Sequence, residues 1–511
     1  MRTISGLLFF LGRRFSLFGI DGAMQSMPAS AWAHDDKHGS AAGARARSAR
    51  SAPEVAARSA AGGGAFRIGA LHPCPLLARA GRAQRGGTLW QRCALSPAAF
   101  RCASSRKACR VSLLIVAAIL LLPGTASAQM HQHDHGTAQG CTEPILACAT
   151  KVTPTFVPDG SLLVAFAAGG HVLVARSTDL GRTFTPSVAV NAQPMRLDSG
   201  PDARPKIVVT REGRIVVAFG TFKDSAFNGQ VFMSYSRDGG ATFAPPQPLT
   251  ADQESQRFET VALDVDGSVF FAWLDKRNRA PAKLRGESYA GAALAFAWSK
   301  DGGASAWETR IAYDNTCECC RLGVAFTGPG RPVVLFRKIF EGGIRDHAVV
   351  TFSDPTTPGP IRRVSVDDWR IDACPHHGPS LAIAADGTYH AAWYTNSRTR
   401  RGLFYARSAD EGASFSAPMA IGAADRRASN PALLAMNGGV WLAWKEFDGE
   451  ETAVKVMVSR DNGVTFTAPV TAARTAQASD HPLLISNGHQ VFLSWMSEGE
   501  GYRLLPLEDA P

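Results

Sequence analysis

From about residue 143 onward the apolar positions fall into short runs that repeat. Each run opens on a turn pair such as Asp-Gly or Asn-Gly, continues for four to six residues rich in Val, Phe and Trp, and closes on an aromatic. The copies are DGSLLVAF ending at Phe166, EGRIVVAF at Phe219, DGSVFFAW at Trp273, PGRPVVLF at Phe336, DGTYHAAW at Trp393, NGGVWLAW at Trp444 and NGHQVFLSW at Trp495. Their aromatics are spaced by 53, 54, 63, 57, 51 and 51 residues. A β-branched and aromatic run entered from a tight Gly turn reads as a strand leaving a hairpin. No helical period competes with it. Strand-rich units of this length, seven by count, predict an all-β fold, a β-propeller.

A second pattern runs in phase with the first. S-x-D-x-G-x-S/T-F/W occurs as STDLGRTF (177–184), SRDGGATF (236–243), SADEGASF (408–415) and SRDNGVTF (459–466). SKDGGASAW (299–307) carries one extra residue, and the fourth unit has only TFSDPTTPG (351–359). The Asp carboxylate can accept backbone N–H groups across a tight turn, the Gly supplies a positive φ, and the aromatic packs between repeats. These segments are Asp boxes, and over residues 140–508 the chain resembles the BNR/Asp-box proteins of the sialidase superfamily. The resemblance implies a propeller of four-stranded blades with each box between the third and fourth strands, on the face opposite the functional site. Sialidases of that superfamily have six blades, so six is the alternative to the seven counted here. The last repeat shows three strands, and a strand near PILACATKVT (144–153) is expected to pair with it and close the ring.

Composition alters this picture mainly at the N-terminus. VSLLIVAAILLL (111–122) follows Arg106, Lys107 and Arg110 and precedes a small-x-small site after Ala128. A basic flank, a short apolar run and such a site read as a signal peptide over 106–128, too short to span a bilayer. Periplasmic or secreted localisation follows, with no stable membrane insertion after cleavage. Residues 1–110 carry a net charge of +13, against +10 for the whole chain, which leaves −3 for residues 111–511. The basic stretch 1–105 is read as disordered or as an upstream segment translated from the wrong start, rather than as a nucleic-acid-binding arm. Residues 129–142 form a His-rich exported tail, MHQHDHG at its centre, and 143–511 the propeller. No glycine-rich phosphate loop or nucleic-acid module is present, so neither a nucleotide cofactor nor a nucleic-acid partner is expected. A monomer is expected.

The chemistry concentrates in two places. NTCECCRL (315–322) holds Cys317, Cys319 and Cys320, and DACPHHGPS (372–380) holds Cys374, His376 and His377. Both lead into the first strand of adjacent repeats, four and five, so both are expected at the mouth of the central channel. His347, in the loop after Phe336, and His481, leading into the last repeat, are expected beside them. Thiolate and imidazole together select soft ions, copper first and zinc as the alternative. Disulfides are a second reading: six Cys follow the signal peptide, and Cys141–Cys148 with Cys374 joined to one of the triplet is an example pairing, while a vicinal Cys319–Cys320 bond would be strained. Thiol redox chemistry is a third. The superfamily resemblance implies a further one, glycoside hydrolysis by arginines, a Tyr nucleophile and acidic partners. Here Arg204 stands in DARPKIVV, a partial match to the superfamily's first arginine motif; Glu259, Asp275, Arg277 and Tyr394 are weak partners in no matching motif. A non-catalytic scaffold that binds a glycan, small molecule or protein on its top face is the remaining alternative. Asp367, Asp368 and Trp369 are read either as acceptors orienting the His rings or as a plain turn.

Overall fold

A computed structural model describes Cys141 and residues 143–507 apart from 305 and 306. The basic segment, the signal peptide and all of the His-rich tail but Cys141 lie outside the described residues. Within them, the chain is built from antiparallel strands, with a six-residue α-helix (Arg279–Leu284) and two short 3-10 turns.

The strands form consecutive meanders. The first runs Val152–Phe156, Leu162–Ala168, His171–Ser177 and Val188–Ala189, each strand pairing with the next. Equivalent meanders begin at Lys206–Val209, Gln256–Leu263, Gly323–Phe326, Ser380–Ile383, Ser429–Met436 and Leu483–Ser486. The third and fourth are joined into one sheet where Thr316 pairs with Lys338. Those seven first strands touch one another in chain order, and the last returns to Val152–Phe156. A closed ring of radially arranged antiparallel meanders is a β-propeller.

All of the predicted aromatic-closed runs are the second strand of their meander. Each is flanked on both faces by neighbouring meanders, which explains why it reads as a nearly continuous apolar run rather than an alternating one. Val269–Asp275 and Ile215–Phe222, for example, are buried at every position. The closing aromatics Phe166, Phe336, Trp273, Trp393 and Trp444 have no exposed surface. Where that aromatic is Trp, its buried indole N–H finds an acceptor: Asp275 for Trp273 (2.9 Å), Asp367 for Trp393 (2.8 Å), Glu446 for Trp444 (2.9 Å) and the Asp480 carbonyl for Trp495 (2.9 Å).

The S-x-D-x-G-x-S/T turns follow the third strands. In the second meander Asp238 accepts from Thr242 N (2.9 Å), from the Thr242 hydroxyl and from Ser236 Oγ (2.7 Å), while Gly240 N donates to Ser236 Oγ (2.9 Å). The same bonds recur at Asp179, Asp410 and Asp461. They hold those carboxyls below the usual range, at about 2 for Asp179, Asp410 and Asp461. Both the x and the Gly of D-x-G take positive φ, as at Asn462 (55°) and Gly463 (78°). First and third strands run in the same direction, so these turns share one face of the ring with the hairpin turns after the first strands. The segments leading into the first strands emerge on the opposite face.

Ring closure differs from the expectation. Residues 146–148 form a 3-10 turn, and Val152–Phe156 pairs with Leu162–Ala168 as the first strand of its own meander. The last meander keeps three strands among the described residues. Closure is instead made by packing and by a buried ion pair. Asp480 receives Arg204 through Nη1 (2.7 Å) and Nη2, and its Oδ2 also takes Val152 N (3.1 Å). One carboxylate thereby ties the first, second and last meanders. Cys141 and Cys148 form a disulfide beside this seam.

Candidate functional site

The last strand of the third meander, Arg310–Thr316, ends directly into the cysteine segment. Asn315 takes the left-handed conformation (φ 58°), and Cys317 N donates to the Arg337 carbonyl at 2.8 Å. That redirection turns Cys317, Cys319 and Cys320 into the interior; none is more than 2% exposed. The loop before Ser380–Ile383 brings Cys374 and His376 to the same point from the next meander. Gly378 makes this approach possible: a Cβ there would lie 2.1 Å from Arg321 Cγ and 2.8 Å from Arg321 N.

Two groups of donor atoms result. The sulfurs of Cys317, Cys319 and Cys320 lie within 4.8 Å of one another, and so do donor atoms of Cys319, Cys374 and His376. Cys319 belongs to both. The first group is fully enclosed, whereas Cys374 is exposed and His376 half-buried. Cys317 Sγ and Cys319 Sγ are 3.5 Å apart. Sulfurs around a tetrahedral ion with bonds of ~2.3 Å sit roughly 3.8 Å apart, so the spacing suits a shared metal. Without an ion the thiols satisfy one another. Hydrogen bonds from Cys319 and Cys320, then the guanidinium groups of Arg337 and Arg345, hold Cys317 well below the usual thiol range. Arg345 Nη1 is 3.3 Å from Cys317 Sγ. Burial pushes Cys319 up; the hydrogen bond to Cys317 pushes Cys320 up; and the hydrogen bond with Cys319 lowers Cys374.

Two cavities flank this cluster. One of about 270 Å³ reaches Cys319, Cys374 and His376 past the Lys276–Glu318 ion pair (2.6 Å). The other, about 320 Å³, lies over the central channel and is lined by His376, His377, His481 and Asn430 among others. His376 separates them. Its ring packs against Phe258 at 6.2 Å, and both residues hold positive φ (50° and 57°). A bulky residue in that region is strained, and such strain gathers at sites that over-determine their geometry.

His347, His377 and His481 form a separate, inner group around Arg321, and none of them shares either donor cluster. Arg321 donates to Asp202 (3.0 Å) and the Pro431 carbonyl (2.8 Å), and its Nη1 lies 3.2 Å from His481 Nδ1. Burial and nearby guanidinium charge keep these imidazoles neutral: His347 and His481 well below the ordinary value, His377 at about 4. Neither ring nitrogen of His347 has a hydrogen-bond partner among the described residues. The His377 ring stacks on Tyr394 at 4.0 Å.

Arg204 and Glu259 both lie beside Lys206, whereas Asp275 and Arg277 pair with each other. Every donor group of Arg204 is committed, to Asp480, Val152 O (3.2 Å) and Pro201 O (3.0 Å), and the residue is 3% exposed. Asp275 is held by Trp273, by Arg277 N (2.8 Å) and by Arg277 Nη2 (2.6 Å) within its own meander. Glu259 is buried with neither oxygen accepting a bond from another residue; burial raises it and lowers nearby Lys206, each charge opposing the other's shift. Asp367 serves Trp393 and Arg400 (2.8 Å), not a His ring, and Asp346 clamps the backbone of Asp367, Asp368 and Trp369.

Arg321, Arg345 and Phe258 were not singled out by sequence. Arg321 directly follows the cysteines, and Arg345 precedes His347 by two residues, a same-face spacing on a strand; only Phe258 left no signal.

No protein family's sequence profile matches the chain, and no curated protein matches it in sequence. Similar solved structures include a protein of unknown function from Dyadobacter fermentans (16% identity, TM-score 0.42, 59% of this chain and 92% of that one). Hadza microbial sialidase Hz136 is similar at 16% identity and TM-score 0.41, over 71% of this chain and 66% of its own. An ulvan lyase of a polysaccharide lyase family is similar at 11% identity and TM-score 0.45, over 70% and 94%.

Proposed function

We propose that this chain is an exported, sialidase-like Asp-box propeller that binds a soft metal ion, copper(I) ahead of zinc(II), through Cys317, Cys319, Cys320, Cys374 and His376. The observation that carries the reading is the convergence of four thiols and an imidazole from two meanders, with all donor atoms linked through Cys319. Sulfur-rich sites favour Cu(I) and Zn(II) over harder ions. For the enclosed group of three cysteines, charge supports copper: three thiolates around a monovalent ion leave two negative charges, and Arg345 and Arg337 supply two positive ones beside Cys317.

Metal content by elemental mass spectrometry tests this, on protein purified from the periplasm after copper or zinc supplementation. About one copper per chain, lost in Cys319→Ser/Cys320→Ser, is expected. A metal-free parent protein with its cysteines oxidised overturns it. A second, carbohydrate-directed reading draws on the charged cavity of about 320 Å³ over the channel. Hydrolysis of fluorogenic glycosides by metal-free protein would favour that reading.

A further inference from the structure

The four thiols and His376 fall into two groups that share one atom, Cys319 Sγ. The inner group, Cys317, Cys319 and Cys320, is buried. The outer group, Cys319, Cys374 and His376, opens through exposed Cys374 onto the cavity of about 270 Å³. Building on the soft-metal reading, we infer that the two groups are successive stations of a metal path, with Cys319 as the pivot that stays bound throughout.

Of the three inner cysteines, Cys319 is the one that lines the cavity of about 270 Å³, whereas Cys317 and Cys320 lie among core residues such as Leu322 and Phe336. Ligand exchange there needs an incoming donor that reaches the metal before an old one leaves. Cys374 and His376 are the donors in reach, and the loop carrying them is more exposed than the cysteine segment. The strained φ of His376 (50°) fits a residue held in position to meet the ion.

The exchange balances without a redox step. A copper(I) bis-thiolate complex in the cavity loses both carrier thiolates as Cys374 sulfur and Cys319 sulfur bind the ion. The protons released by the two thiols pass to the two departing carrier sulfurs. In the second stage the metal–Cys374 bond breaks as bonds to Cys317 and Cys320 form; of the two protons those thiols release, one returns to Cys374 and the other passes to water. Copper stays monovalent. The partner class is therefore a small soft carrier, a low-molecular-weight thiol complex of a size that a cavity of about 270 Å³ admits.

The test follows anaerobic loading from copper(I)–glutathione, then release to the chromogenic chelator bathocuproine disulfonate, in stopped flow. Relative to the parent, Cys374→Ser is expected to load and release about tenfold more slowly while most of the copper is still held after desalting. Cys320→Ser is expected to give the opposite split, rapid loading with most copper lost on desalting. His376→Ala, compared by its thermal transition with the parent, guards against a folding artefact and should slow loading in the same direction. Parent-like rates in Cys374→Ser overturn the path. So does complete loss of copper from Cys374→Ser, which would make Cys374 a permanent ligand of a single centre. A parent chain that takes up no copper overturns the metal reading itself, and the path with it, so the two failures are distinguishable.

Discussion

Arg204 offers the sharpest division between a structural and a catalytic role. Its guanidinium and Asp480 form a bidentate pair with side chains 4% and 2% exposed, and it also serves two backbone carbonyls. Replacing it by Met keeps much of the apolar bulk and removes the charge. Deleting one partner of a buried ion pair costs about 3–5 kcal/mol, because the other is left charged in a poor solvent. Asp480 would keep two amide donors, Val152 N (3.1 Å) and His481 N (2.6 Å), which places the cost at the lower end. Two carbonyls would lose a donor, which adds to it. The net expectation is about 3–4 kcal/mol lost. Urea unfolding followed by tryptophan fluorescence and far-ultraviolet circular dichroism reads this as a lower midpoint at unchanged slope. Arg204→Met/Asp480→Asn should cost less than the sum of the single changes by about 2 kcal/mol or more. A loss below about 1 kcal/mol, or strict additivity, would refute the claim that this pair closes the ring.

Two further outcomes follow from the same packing. Gly378→Ala has no room against the Arg321 backbone (2.8 Å to N), so the loop carrying Cys374 and His376 must back away; copper affinity by chelator competition should fall about tenfold to a hundredfold, and parent-like affinity would refute the positioning role. His390, fully buried between Tyr405 Oη (2.8 Å) and Asn462 (3.1 Å), is pushed by burial to about 4. The unfolded chain takes up this proton near pH ~6.5 and the folded chain only near 4, so stability falls by about 1.4 kcal/mol per pH unit as pH drops between those values. His390→Gln should therefore lose about 2 kcal/mol less than the parent between pH ~7 and ~5 in paired urea titrations, and identical losses would refute a neutral buried His390.

The fold was legible because each repeat states its own geometry. A run such as DGSVFFAW names the hairpin by its Asp-Gly and the doubly covered strand by its unbroken apolar stretch, and Trp273 sits at its inner end with no exposure. The ring closure was not legible. Nothing in PILACATKVT distinguishes a strand that completes the last meander from one that starts the first; the choice is made by the Asp480 bonds to Val152 and Arg204, contacts spanning hundreds of residues. The cysteine cluster was legible by phase alone, since both segments lead into adjacent first strands. Its limits were not. His481 shares that phase but is turned toward Arg321, and His347, expected in a loop, lies on the strand Ile344–Asp354 and faces the same guanidinium, so packing rather than spacing sets where these rings point. Arg204, partly matching a substrate-binding motif, proved to be spent on Asp480.

Export to an oxidising compartment, as proposed above, would bear directly on the cluster. Cys141 and Cys148 are bridged, while Cys317, Cys319, Cys320 and Cys374 are free thiols. Neighbouring cysteines such as 319 and 320 bridge only with strain. Cys319 with Cys374 is different, since the two already share a hydrogen bond and belong to different meanders. A bridge between them would consume the one sulfur common to both donor groups and disable inner and outer stations together. A bridge between Cys317 and Cys320 would leave Cys319, Cys374 and His376 intact. An ion held at Cys319 blocks the more damaging of these reactions by occupying the nucleophile. On the proposed metal reading, occupancy and protection of the thiols would be the same event, and the exposed position of Cys374 would make oxidation and loading compete there.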